Sequence, residues 1–139
     1  MRLRKLIAAA GIATTVAGFG LASAGDASAF SADCQGNSHA VCLYYNSSSY
    51  GYGAYFKQTG NISDYSGYTF SSGLNGSAGA GAAVKNGAAA IDSWYGGNFV
   101  VYYNSGYNCS YACQTISGYA PVTDLNGSLK NNNASGSFN

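Results

Sequence analysis

Beyond residue 29 the chain holds four cysteines, one histidine, four aspartates and no glutamate, and these are the groups that could do chemistry. Cys34, Cys42, Cys109 and Cys113 with His39 contain the atoms of a zinc site, yet their spacing lacks the paired-ligand pattern such sites use. Serines, His39 and Asp33, Asp64, Asp92 or Asp124 include every member of a Ser-His-Asp set, but no serine sits in a nucleophile-elbow sequence. The chemistry therefore points away from catalysis, and neither a metal nor a cofactor is expected. What remains is sulfur. The stretch YNCSYACQT at 107–115 places two cysteines with three residues between them, in surroundings that give no other reason for covalent pinning.

What those sulfurs do depends on where the chain goes. Arg2, Arg4 and Lys5 precede an uncharged run from residue 6 to 25 rich in Ala, Ile, Val and Gly, and Ala27-Ser28-Ala29 follows. This is the pattern of a secretory signal peptide over residues 1–29, cleaved after Ala29 or, second, after Ala24. The expected location is secreted and extracellular, where disulfides persist. Four cysteines permit three pairings.

Residues 30–139 suffice for one domain. Its charges are Lys57, Lys85 and Lys130 against the four aspartates, a net charge of about −1, with no arginine. No basic stripe suits a phosphate backbone and no cationic amphipathic helix suits a lipid surface, so neither nucleic acid nor membrane is an expected partner. Asn, Ser, Gly and Tyr supply the polar surface instead, and 13 tyrosines argue for a folded chain.

Short runs rich in Val, Tyr, Phe and Thr, bounded by Gly, Asn and Ser, predict strands near 40–46, 53–58, 98–104 and 111–116. The Ala-rich GAGAAVKNGAAAI at 79–91 is too glycine-interrupted for a helix, each glycine costing about 1 kcal/mol. The class is all-β. A repeat is also visible: LYYNS at 43–47 returns as VYYNS at 101–105, and VKNGAAA at 84–90 returns loosely as LKNNNAS at 129–135. The two separations are 41 and 28 residues, and the 13-residue difference matches the Gly/Ala/Ser-rich stretch 71–83, read as a surface loop inserted into one copy. Two such units of about four strands each must cover one another, and a Greek-key sandwich does so economically.

The succession VCLYYNSSSYGYGAYF, GYTFSSG, VKNGAAA, VVYYNSGYN and LNGSLKNNNAS, spread over most of Cys34 to Ser135, resembles the small secreted proteins grouped with the Streptomyces metalloproteinase inhibitor. The resemblance implies a double Greek-key, βγ-crystallin-like sandwich that inhibits thermolysin-like metallopeptidases in a substrate-like manner. It also implies two disulfides, one at the N-terminal strand and one closing a reactive loop in the second half. Together with proximity along the chain, this favours Cys34–Cys42 and Cys109–Cys113. The expected partner is an extracellular peptidase, bound by a monomer through Cys109, Ser110, Tyr111, Ala112 and Cys113. The family's reactive bond would fall at Cys109-Ser110. Thermolysin-like enzymes favour a bulky apolar residue after that bond, whereas Ser110 is small and polar and Tyr111 is the nearest suitable side chain.

A straight strand would hold Cys109 and Cys113 about 13 Å apart, and a disulfide needs its α-carbons within about 7 Å, so this pairing demands a turn or bulge. In the chain-entropy model a five-residue ring contributes about 2 kcal/mol and the nine-residue ring from Cys34 to Cys42 about 2.6. Neither is a large global stabiliser. A tight ring does hold a loop in one conformation, which lowers the entropy lost on binding; the plainer alternative is that it pins a hairpin at a sandwich edge.

Three other features of the sequence bear on function. The calcium pattern of βγ-crystallin domains is reduced to Asn131-Asn132-Asn133-Ala134-Ser135 in one copy and Asn86-Gly87-Ala88-Ala89-Ala90 in the other, without a carboxylate, so structural turns are expected there. Tyrosines with Trp94 could face sugar or protein, which makes a non-inhibitory extracellular binding module the alternative function. The adjacent pairs Tyr44-Tyr45 and Tyr102-Tyr103 should each point one ring inward and one outward.

Overall fold

The structure, a computed structural model, describes residues 29–139 and consists of two antiparallel sheets with no α-helix among those residues. The leader expected over 1–29 lies, except for Ala29, outside the described residues. One sheet has the order β2 (Tyr55–Gln58), β1 (Val41–Tyr44), β3 (Ala90–Ser93), β6 (Thr123–Asp124). The other has β5 (Asn108–Ile116), β4 (Phe99–Asn104), β7 (Ser135–Phe138). The Val- and aromatic-rich runs became β1, β2, β4 and β5. The strands β3, β6 and β7 were not foreseen, because Ala, Ser, Gly and Asp carry little β preference of their own. Burial decides for β3 and β7, which are almost wholly enclosed.

The duplication holds position by position. Val41 faces Gln58 and Tyr44 faces Tyr55 in one sheet, as Phe99 faces Ile116 and Tyr102 faces Cys113 in the other. Val41 pairs with Ser93 and Tyr44 with Ala90, as Phe99 pairs with Phe138 and Tyr102 with Ser135. Each half also lends a segment to the other half's sheet: Thr123 of the second half pairs with Ile91, and Ile62 of the first pairs with Gly136. Neither half closes its sheet alone. Residues 71–83 form a largely exposed loop of the first half, tied down by mutual hydrogen bonds between Tyr55 and Ser71.

Between the sheets lie Val41, Leu43, Tyr65, Phe70, Ile91, Phe99, Val101, Ile116, Leu125 and Leu129, all at most 4 % exposed. Each such large side chain contributes on the order of 1.5–3 kcal/mol by leaving water. The crossing segments are seated differently in the two halves. Tyr65 donates to Gln58 Oε1 at 2.6 Å, and Gln58 Nε2 donates to the carbonyls of Gly136 at 2.9 Å and Gly60 at 2.8 Å. A Cβ at Gly136 would collide with the Tyr65 hydroxyl, so only glycine fits. The matching places in the other sheet hold Ile116, Leu125 and Ile91, whose side chains make only apolar contacts.

The outer face of the first sheet is covered too. Cys34–Cys42 fastens the N-terminal segment over β1, with α-carbons 5.8 Å apart. Phe30 meets Tyr44 and Tyr52 edge-on at 5.4 and 4.9 Å, and Asn75 of the inserted loop exchanges hydrogen bonds with Ser31. Of the pair Tyr44-Tyr45, Tyr44 is the ring that leaves the central core, and this cover buries it completely.

Removing the Tyr65 hydroxyl strands the Gln58 carbonyl in a site 1 % exposed. Tyr65→Phe should therefore lose about 1–3 kcal/mol in urea unfolding, whereas Tyr68→Phe, an exposed site, should stay within about 0.5 kcal/mol of the parent.

Candidate functional site

The Cys109–Cys113 bond forms inside β5, with α-carbons 5.2 Å apart. Tyr102 faces Cys113 and Asn104 faces Asn108, so Tyr103 alone stands opposite residues 109–112. The ring is a wide bulge, as its sulfur geometry demanded. Its base is anchored: Ser110 N–H donates to Asn108 Oδ1 at 2.7 Å, Gly106 N–H to the Ser63 carbonyl at 2.7 Å, and Tyr107 N–H to Ser135 Oγ at 3.2 Å. Ala112 turns toward the core. Cys109, Ser110 and Tyr111 face solvent, Tyr111 being 71 % exposed with its ring lying on Tyr103 at 4.4 Å between centroids.

The equivalent stretch of the first half, residues 51–55, has no sulfur and leads from the 3-10 turn Ser48–Tyr50 into β2, whose register with β1 is uninterrupted. Gly51, Tyr52 and Gly53 all take positive φ there, at 73, 65 and 66°. Glycine permits that backbone at no steric cost; in the second half a covalent bond holds the bulge. The surroundings also differ. Ala54 N–H donates to Ala78 at 2.9 Å and Tyr55 pairs with Ser71, so the inserted loop caps the β2 edge. β5 is an edge strand with β4 on one side only, and its outer side is touched near the far end, where Gln114 Oε1 accepts from Asn126 N–H at 2.9 Å.

The remaining candidates fall into place around this loop. His39 stacks on Phe138 and meets Tyr95 edge-on, each at 4.6 Å, and among the described residues no serine or aspartate hydrogen-bonds it. Cys34, Cys42 and Asp92 cluster as metal ligands would, but both sulfurs are spent in a disulfide and offer no thiolate. The amide of Asn133 is fully buried, its Oδ1 accepting from Ala88 N–H at 2.9 Å and its Nδ2 donating to the Val84 carbonyl at 2.9 Å. Ser135 Oγ donates to the Asn104 carbonyl at 2.7 Å. These oxygens of the degenerate calcium pattern hold turns in place.

Sequence reasoning passed over Asp92. It is 3 % exposed on β3, where Trp94 Nε1 donates to Oδ2 at 2.9 Å and Tyr44 donates to Oδ1 at 3.5 Å. It also lines a mostly apolar cleft of about 300 Å³ with Phe30, Trp94, Tyr119, Pro121 and Val122. β3 gives no alternation signal, since all four of its residues are buried, and it begins inside the Ala-rich segment that the sequence marks only as non-helical.

No protein-family model, curated protein or solved structure matches the chain.

Burial pushes the Asp92 carboxyl up to about 6, against the lowering effect of the Trp94 hydrogen bond. A carboxyl that holds its proton more tightly folded than unfolded, where it titrates near 3.9, stabilises the fold in its protonated form. Stability should thus fall as pH rises from about 4 to 6 and level off above. Asp64 works oppositely: Lys85 holds its carboxyl at about 2, so its contribution is present above about 4 and lost only at lower pH. Between pH 4.5 and 7 the parent should lose on the order of 2 kcal/mol in urea unfolding. Asp92→Asn should flatten that slope.

Proposed function

We propose that the protein is a secreted inhibitor of extracellular peptidases, with a βγ-crystallin-like double Greek-key domain that presents the ring Cys109–Cys113 as its contact loop. The observation that carries this is the contrast between the equivalent stretches 51–55 and 109–113. The first is capped by the inserted loop, while the second is an uncapped bulge, covalently closed and tipped by an exposed aromatic residue. The exchange of one segment between two duplicated sheets supports the double Greek-key assignment, and two disulfides fit an oxidising extracellular setting.

The mechanism follows from the geometry. A peptidase of the thermolysin-like kind takes substrate as an extended strand along a sheet edge, and β5 offers an unpaired edge for such pairing. Because the ring is rigid beforehand, little conformational entropy is lost on docking. Hydrolysis within 109–113 would leave both new ends tied through the disulfide, with α-carbons 5.2 Å apart in the intact ring. The cut loop would stay in the cleft, and the bond could close again. Tyr111 supplies the large side chain that Ser110 lacks.

A second reading, a non-inhibitory extracellular binding module, is favoured by one observation: the equivalent stretch 51–55 connects the same two strands of its sheet without any sulfur. Titration of the purified protein against a thermolysin-like enzyme separates the two, with inhibition at micromolar concentration expected and its absence removing the inhibitor. Cys109→Ser with Cys113→Ser should weaken inhibition at least tenfold while stability drops by only about 2 kcal/mol; a parallel loss of both would leave the ring as a hairpin pin. Tyr111→Ala, at an exposed site, should weaken inhibition with stability within about 0.5 kcal/mol of the parent.

A further inference from the structure

The duplication sets two lysines in matching places and gives a partner to one of them. Lys85 and Lys130 occupy equivalent turns: Asn86 N–H donates to the Asn133 carbonyl at 2.7 Å, and Asn131 N–H donates to the Ala88 carbonyl at 2.8 Å. Lys85 Nζ is saturated, donating to Asp64 Oδ1 at 2.9 Å, Ser66 Oγ at 3.2 Å and Ser105 Oγ at 3.3 Å. Lys130 is half-buried, and among the described residues its ammonium meets no carboxylate and makes no hydrogen bond.

The missing carboxylate can be traced. On the crossing segments Ile62 and Thr123 are equivalent, as are Tyr65 and Leu125, whose N–H groups donate at 2.9 Å to the matching carbonyls of Ala134 and Ala89. Ser63 and Asp64 lie between them in one half, and Asp124 alone in the other. Being one residue shorter there, the second half turns Asp124 onto Ser48, accepting from its N–H and its Oγ at 2.8 Å each. Asp124 does not line the space beside Lys130.

That space is a cleft of about 300 Å³ whose walls include Tyr45, Ser47, Tyr50, Asn86, Lys130 and Asn131. Ser47 is the counterpart of Ser105, the hydroxyl to which Lys85 Nζ donates, and it lines the same cleft as Lys130. We infer that the cleft is a binding site for a carboxylate-bearing sugar, a hexuronate, whose carboxylate takes at Lys130 the place that Asp64 takes at Lys85. A charged hydrogen bond of this kind is roughly twice as strong as a neutral one. The rest of the cleft suits a sugar ring. The side-chain amides of Asn86 and Asn131 are exposed, make no hydrogen bond among the described residues, and offer both donors and acceptors to vicinal hydroxyls. Tyr50, 76 % exposed at the rim, presents an aromatic face to the C–H side of a pyranose. The size lies at the lower end of the roughly 300–1,000 Å³ of ligand sites, which fits a single monosaccharide unit. This site is separate from the 109–113 ring and stands whether or not that ring inhibits a peptidase.

The test is an amide-shift titration of the purified protein with glucuronate, glucose and a glutamate-rich peptide. Saturable shifts at Tyr50, Asn86, Lys130 and Asn131 with glucuronate are expected, weakened at least tenfold by Lys130→Gln and at least threefold by Tyr50→Ala, with glucose at least tenfold weaker. The proposal is overturned if glucuronate gives no saturable shift at these residues, if Lys130→Gln binds it unchanged, if glucose binds as well, or if the acidic peptide binds more tightly.

Discussion

The exchange of one short segment between the two halves is the constraint on which the rest of the structure depends. Each half can pair three strands of its own, but the fourth place in its sheet is filled by the other half, through Thr123 beside Ile91 and Ile62 beside Gly136. Folding of one half thus requires the other, and the shared core forms only when both crossings are made. The two crossings reach the same end by different chemistry. One buries Ile91, Ile116 and Leu125 together, and the other buries a hydrogen-bonded set of Gln58, Tyr65 and the Gly136 carbonyl. An apolar seat tolerates approximate fit, whereas a buried polar one must be complete, because an unsatisfied group there costs 1–3 kcal/mol.

Once the scaffold is closed, the two halves diverge at their edges. The first is longer, and its extra residues fold back as a cap over β2 while the N-terminal segment, fastened by Cys34–Cys42, covers the outer face. The second keeps β5 uncapped. An exposed strand edge invites uncontrolled pairing, and the bulge at 109–113 breaks its regularity, so the feature that protects the edge also gives it a defined shape. Duplication also explains the Lys130 cleft: one residue fewer in a crossing segment turned a carboxylate aside and left a lysine facing open space.

The parts of this architecture that were legible in the sequence are those carried by side-chain type. Aromatic and Val-rich β1, β2, β4 and β5, the repeat with its inserted loop, and the bulge required by Cys109 and Cys113 could all be read from residues and spacing. β3 and β7 could not, since Ala90–Ser93 and Ser135–Phe138 become strands through burial between partners distant in sequence. Alternation separates Tyr44 from Tyr45, but nothing local says that residues 30–40 will fold over the face that Tyr44 occupies. The character of Asp92 and Lys130 stayed hidden because it comes from what surrounds them, a mostly apolar cleft for one and a carboxylate turned away for the other.

The central claim is that the uncapped, sulfur-closed edge of β5 is where a peptidase docks. Hydrogen–deuterium exchange, run on the protein alone and mixed with a thermolysin-like enzyme, tests it most directly. Slowed exchange confined to residues 108–113 and their immediate neighbours is predicted, with the capped stretch 51–55 unchanged. Protection centred elsewhere on the surface, or no protection at all, would contradict it.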